Sequence, residues 1–223
     1  MKSYYIQLIR NGLTEGNVSG KYVGHIDEPL SREGIAQIEQ MKSDYKYPPV
    51  DAVFASPLSR CTQTAKIIYP NCEPIVINGL IEYNFGEFEG KTAEELQNHP
   101  VFPDWLAGND PPFGESNDEF ANRIANAFIK IVDGLIETGV THTAIVTHGG
   151  VIMALLTLFG LPQAPMHEWL TPGGCGYTIR ITPSLWSQGR KVEVIAQIPE
   201  VEGEKDSFGT DDDNFNVEDY IND

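Results

Sequence analysis

The sequence predicts an α/β fold: a mostly parallel central sheet with helices on both faces, a three-layer sandwich. Three observations predict it. Short apolar runs of strand character alternate with segments of helical period. Several of these runs lead directly into helix-start signals. A single chain of 223 residues, 41% of them hydrophobic, is long enough for one well-buried core and short for two.

The elements follow in order. Tyr4 to Ile9 reads as a first buried strand. Ser31 caps a helix whose Ile35, Ile38 and Met41 share one face, the spacing of a core-facing stripe. Ala52 to Ala55 is a second strand, followed at once by Ser56-Pro57, a capping serine with a first-turn proline. Pro74 to Ile77 is a third strand. Ser116 and Glu119 form an S-x-x-E capping box, and Phe120, Ile124, Phe128, Ile131 and Leu135 continue from it at helical spacing. Thr143 to Thr147 is a fourth strand; Gly176 to Ile181 and Val192 to Ile198 are later ones, the last an edge strand that would permit a homodimer.

Charge excludes whole classes of partner. Fifteen Lys+Arg stand against 32 Asp+Glu, a net charge of -17, so the overall field repels nucleic acid and anionic lipid. An anionic substrate must be held by a local cationic pocket. Nine of the acids, against one base, fall between residues 202 and 223, which divides the chain into a single domain over 1–201 and an acidic, solvated and partly disordered tail over 202–223. The three cysteines are scattered without a C-x-x-C pair, which argues against a disulfide framework or a thiolate metal site. No apolar run approaches a membrane span, and the N-terminal segment lacks a signal-peptide core. A cytoplasmic protein is the expectation.

In open α/β sheets ligands lie beyond the carboxyl ends of the strands, where helix N-termini present N–H groups. Three such ends carry unusual residues: Arg10-Asn11-Gly12 through Asn17 after the first strand, Ser56 through Arg60 after the second, and Thr147-His148-Gly149-Gly150 after the fourth. Two arginines and a histidine converging there would make a dianion site, because a guanidinium offers a two-pronged fork to phosphate oxygens. Glu82, in the loop after the third strand, is a candidate proton donor. Its neighbours Glu87, Glu89, Glu94 and Glu95 read as a solvated charge run.

Five segments in this order resemble the histidine phosphatase superfamily, the phosphoglycerate mutase-like family, in its R-H-G-x-T branch. They are Leu8 to Asn17 (L-x-R-H-G-x-T-x-x-N), Gly24 to Ser31 (G-x-x-D-x-P-L-S), Ala55 to Ala65 (S-P-L-x-R-x-x-Q-T-A), Leu80 to Gly90 (L-x-E-x-x-F-G-x-x-E-G) and Val146 to Gly150 (V-x-H-G-G). The resemblance implies a phosphate clamp of Arg10, Arg60 and His148, with Asn17, the Gly24 backbone and the Gly149 amide as further substrate contacts. It implies Glu82 as the acid that protonates the leaving oxygen, and chemistry with no metal and no cofactor. Phosphate or sulfate is expected in such a site.

One position departs. Where the family has its nucleophilic histidine, this chain has Asn11. An amide nitrogen, its lone pair delocalised into the carbonyl, cannot attack phosphorus. Asn11 is then a deliberate substitution in an otherwise intact site, a natural loss of the nucleophile, or a sign that the nucleophile lies elsewhere; the retained Arg10, Arg60, Glu82 and His148 favour the first. The expected function is a phosphomonoesterase for a small phosphorylated metabolite with a neutral or apolar remainder. It would work through a phosphohistidine when position 11 is histidine and be inactive as written. The alternatives are a pseudoenzyme that binds a phosphorylated ligand and a phosphoglycerate mutase. Against the mutase, only 65 residues separate Glu82 from His148, and no Lys or Arg occurs between Lys91 and Arg123. The proline-rich stretch from Thr92 to Glu115 is the expected pocket lid, with His99, Phe102, Trp105 and Phe113 on it.

Overall fold

The computed structural model describes residues 2–199; the expected acidic tail lies outside them. The strand β1 (Tyr4–Arg10) is followed by the short helix α1 (Glu15–Val18) and by α2 (Arg32–Asp44). Then come β2 (Ala52–Ala55), α3 (Ser59–Ile68) and β3 (Ile75–Val76). A linking region holds α4 (Ala93–Leu96) and α5 (Phe102–Leu106) and leads to the long α6 (Asn117–Thr138). The chain closes with β4 (His142–Thr147), α7 (Gly149–Phe159), β5 (Gly160–Leu161), β6 (Gly176–Ile181), α8 (Pro183–Gly189) and β7 (Val192–Ile198).

All seven strands form one sheet in the order β3-β2-β4-β1-β6-β7-β5. Only β6 opposes the common direction, pairing antiparallel with both β1 and β7. The expected α/β class, a mostly parallel sheet with two covered faces, is what the chain adopts. On one face α6 and α7 bury Phe120, Ile124, Phe128, Val151 and Ile152 against Ile6, Leu8 and Ile145. On the other, α2 and α3 bury Ile38, Cys61, Ala65 and Ile68 against Ile9, Val53 and Val146. Alternate residues of β1 and β4 thus serve opposite cores, which is why these central strands are apolar on both sides.

The two sequence-read caps form. Ser31 Oγ accepts from Gly34 N at 2.9 Å, and Ser116 and Glu119 make the reciprocal capping box of α6. Ser56 is different. Helix α3 starts at Ser59 with Leu58 as its cap and no side-chain capping bond; the Ser56 hydroxyl, two residues before that cap, reaches Leu58 N only at 3.5 Å and faces a histidine from another strand end at 2.8 Å. The third strand is also shorter than expected, since only Ile75 and Val76 find ladder partners on β2. Nor is Val192–Ile198 an edge strand: Gly160 and Leu161 pair with Val192 and Glu193, so β7 lies one place in. Among the described residues no helix is long and apolar enough to cross a membrane.

Candidate active site

The sheet order sets β2, β4 and β1 side by side, and the register is level: Val146 pairs with Ala55, and Thr147 with Arg10. Ser56, His148 and Asn11 therefore leave the sheet at one height. Backbone bonds tie them there, Ser56 N to Val146 O at 3.0 Å and Asn11 N to Thr147 O at 2.8 Å.

His148 is the hub, 1% exposed. Its Nδ1 lies 3.0 Å from Asn11 Oδ1 and its Nε2 2.8 Å from Ser56 Oγ. The Asn11 carboxamide is oriented by a 2.8 Å bond from its Nδ2 to Gly12 O, which turns its oxygen toward the ring. An amide oxygen only accepts, so Nδ1 carries the proton and Ser56 donates to Nε2. Cys61 Sγ packs against the ring at 3.5 and 3.6 Å. Burial and the nearby Arg60 and Arg10 charges hold the His148 pKa well below the usual imidazole range, keeping the ring neutral with a fixed tautomer.

Arg60, on the first turn of α3, is as deeply buried. Its Nη2 donates to Gly24 O at 2.7 Å and its Nη1 to Ile26 O at 2.8 Å. Its Nε stands 3.3 Å from His148 Nδ1. Arg10, the last residue of β1, anchors one nitrogen on Thr171 O at 2.6 Å. It lies against the start of α7, where a methyl placed on Gly149 would come 3.1 Å from its Nε. The cap residue of α7, His148, makes no side-chain capping bond, and the partial positive charge of that helix start lies beside Arg10.

Glu82 follows a single helical turn, Asn78–Leu80, and is buried, 8% exposed. Its two oxygens accept from Tyr83 N and Gly150 N, both at 2.9 Å. Arg123 of α6 holds the segment from behind, donating to Gly79 O, Ile81 O and Glu82 O while paired with Glu115 at 2.6 Å. Burial pushes the Glu82 pKa up, opposed by those two amides and by Arg60 and Arg10. Desolvation outweighs the attractions, so the net shift is upward.

From Glu82 and Gly150 a cavity of about 390 Å³ extends outward, walled by Tyr83, Phe85, Trp105, Phe120 and Met153. No Lys or Arg lines it; besides Glu82 its polar side chains include Asn117 and Tyr83, whose hydroxyl donates to Asn117 Oδ1 at 3.3 Å. Trp105 of the expected lid thus faces this space, whereas Phe102 is buried in a small aromatic core with Phe88 and Leu96. Phe113 is 88% exposed, with a left-handed φ of 56°.

Arg10, Asn11, Arg60, Glu82, His148 and Gly149 therefore lie in one cluster. Gly24 also borders it, but its N–H is bonded to Glu89 Oε2 at 3.1 Å and its carbonyl to Arg60, so the backbone contact expected from the resemblance is already taken. Asn17 closes a capping box on Thr14, accepting from Thr14 N and Oγ1 at 3.2 Å; only its Nδ2 is left over for a ligand. Three contributors escaped sequence reasoning. Ser56 was hidden by its resemblance to a helix cap. Glu89 is no part of a solvated run, and its place in the E-x-x-F-G-x-x-E-G pattern was the signal. Arg123 carries no local signal at all. Among the described residues no group of His, Cys, Asp or Glu is placed to hold a metal ion.

The chain was compared with known proteins. It is 30% identical over 183 residues to an adenosylcobalamin/α-ribazole phosphatase of Salmonella typhimurium, a match covering 78% of this chain and 89% of that one. The crystal structure of the α-ribazole phosphatase from Shigella flexneri superposes with a TM-score of 0.73 at 26% identity, covering 86% of this chain and 94% of the other. A phosphoglycerate mutase from Thermus thermophilus superposes with a TM-score of 0.60 at 28% identity, covering 86% and 97%. The profile of the histidine phosphatase superfamily (branch 1) matches residues 6–191. Arg10, Arg60 and His148 gathered beyond adjacent strand ends, and a family match along most of the chain, lead to one conclusion: this protein belongs to the histidine phosphatase superfamily.

Proposed function

We propose that this site is built for hydrolysis of a phosphate monoester whose alcohol part is neutral and apolar, and that Asn11 arrests it at the binding step. The observation that carries the reading is the cavity opening at Glu82, apolar on most of its wall and without a cation. A phosphoglycerate carries a carboxylate beside its phosphate, and that second anion finds no countercharge there. An aryl or alkyl group finds Phe85, Trp105 and Phe120. The α-ribazole phosphatases among the relatives support the same choice.

The geometry supports a division of labour. The phosphoryl dianion lies beside His148, over Arg10, Arg60 and the start of α7, whose preorganised donors stabilise the charge that develops on its oxygens. Glu82, its carboxyl pKa raised by burial, gives a proton to the leaving oxygen as the P–O bond breaks. With histidine at position 11, a ring nitrogen forms the new bond to phosphorus. Water, deprotonated by the same carboxylate, then releases inorganic phosphate. In the chain as written Asn11 bonds Gly12 O and faces His148 but offers no nucleophile, so a phosphorylated ligand is bound and kept. The intact clamp and acid around it support reading Asn11 as a substitution on an otherwise complete site.

The test is an Asn11→His variant given a panel of esters. Phenyl and nucleoside-like phosphates should release inorganic phosphate well ahead of 3-phosphoglycerate. Rapid interconversion of phosphoglycerates with little phosphate release would overturn the proposal.

A further inference from the structure

Arg60 carries a buried charge, yet none of the ion pairs among the described residues includes it. Its guanidinium rests on a turn, donating to Gly24 O at 2.7 Å, Ile26 O at 2.8 Å and, at a longer 3.4 Å, Val23 O. The other side of that turn faces a carboxylate. Glu89 accepts from His25 N at 2.8 Å, Gly24 N at 3.1 Å and Ile26 N at 3.4 Å, and also from Phe85 N at 3.1 Å.

The shortest contact of each side chain belongs to the same peptide unit. The Gly24–His25 amide has its carbonyl on Arg60 and its N–H on Glu89, so cation, peptide dipole and anion are in sequence, each strengthening its neighbour's bond. The unit fits because residue 24 is glycine: a methyl there would collide with the Glu89 carboxylate and with Tyr83 O. Glu89 sits seven residues past Glu82 and bonds Phe85 N in the same loop, so the acid's loop and the arginine's turn are fastened by one side chain.

We propose that Glu89 is a positioning residue for Arg60, acting through the Gly24–His25 peptide. It supplies a countercharge to the buried guanidinium without occupying the nitrogens that face the site. A carboxylate placed directly on Arg60 would compete with an incoming phosphate; one placed a peptide away does not. This inference rests on the reading of Arg60 as a phosphate ligand.

The experiment measures inorganic phosphate binding to the full chain by calorimetry, in a cycle of Glu89→Gln and Arg60→Ala. Glu89→Gln puts an NH2 group against backbone N–H donors, and phosphate affinity should fall about tenfold, the scale of one charge-assisted hydrogen bond. With Arg60→Ala already present, the same change should cost under about twofold, the signature of two groups acting through one path. A purely structural role would lower the melting temperature and weaken binding equally in both backgrounds, and that result overturns the proposal, as does unchanged affinity in a folded Glu89→Gln protein. If Glu89→Gln does not fold, Glu89→Asp carries the test: it keeps the charge one methylene short, and a loss of about threefold that vanishes with Arg60→Ala is expected. Should Arg60→Ala leave phosphate binding intact, the clamp itself is refuted; an effect of Arg60→Ala with none from Glu89→Gln refutes only the role of Glu89.

Discussion

Replacing Asn11 by histidine is a change the site is shaped to accept. The carboxamide Nδ2 donates to Gly12 O at 2.8 Å, and an imidazole Nδ1–H occupies nearly the same place relative to the backbone, so it can make the same bond. That bond would fix the tautomer and leave the Nε2 lone pair directed away from the chain, about 2 Å farther out than an amide nitrogen reaches, toward the space shared by Arg10, Arg60 and His148. Gly12 itself is held by a 3.0 Å bond from its N–H to Thr64 Oγ1, so the acceptor does not drift. Removing a nucleophile that works with a preorganised clamp typically costs about four to six orders of magnitude in kcat. Asn11→His should therefore hydrolyse p-nitrophenyl phosphate at roughly 1–100 per second, against a rate at or near background for Asn11, and should form an acid-labile phosphoprotein visible by ³¹P NMR after a quench. A folded Asn11→His protein that binds phosphate yet gains less than about tenfold in rate would refute the reasoning, for it would mean the clamp and acid are not aligned on the new nitrogen.

Three other outcomes are expected. Trp105→Ala, made together with Asn11→His, should raise KM for an aryl phosphate by roughly threefold to tenfold, while inhibition by inorganic phosphate stays within about twofold; equal losses in both would place Trp105 outside the substrate's reach. Ser56→Ala removes the one hydroxyl on His148 Nε2, 2.8 Å away and wholly buried, and should cost about 1–3 kcal/mol in urea unfolding; a loss under about 0.5 kcal/mol would mean another donor serves that nitrogen. The third concerns pH. The His148 pKa is depressed in the folded protein, so below the ordinary imidazole range the unfolded chain takes up a proton that the native state refuses. Stability from this residue is full above about pH 6.5 and falls as pH drops toward the folded value, by up to about 1.4 kcal/mol per pH unit. His148→Gln should flatten that slope in unfolding free energies measured between pH 7 and 5, and an unchanged slope would show that His148 is not the group responsible.

Local sequence determined much of this protein. Period and punctuation located β1, β2, β4, β6, the stripe of α6 and the caps at Ser31 and Ser116, because each depends on residues a few positions apart. The residues at the carboxyl ends of β1, β2 and β4 were legible for the same reason: a charged or polar cluster closing an apolar run is unusual wherever it occurs. Tertiary structure decided the rest. Strand order alone set β2, β4 and β1 adjacent, and so made three separate motifs into one cluster. The two-residue β5 and the true extent of β3 depend on which neighbour offers a ladder, something no window of sequence contains. Ser56 shows the limit most plainly: Ser-Pro after a strand has the local chemistry of a helix cap, but α3 begins only at Ser59, and the Ser56 hydroxyl lies 2.8 Å from the imidazole of His148, 92 residues away, a partner no local window contains. Glu89 likewise looked like solvated charge until the fold brought four backbone N–H groups to it from two loops. A sequence fixes which groups can bond; distance, burial and competition, which exist only once the chain has closed on itself, fix which bonds form.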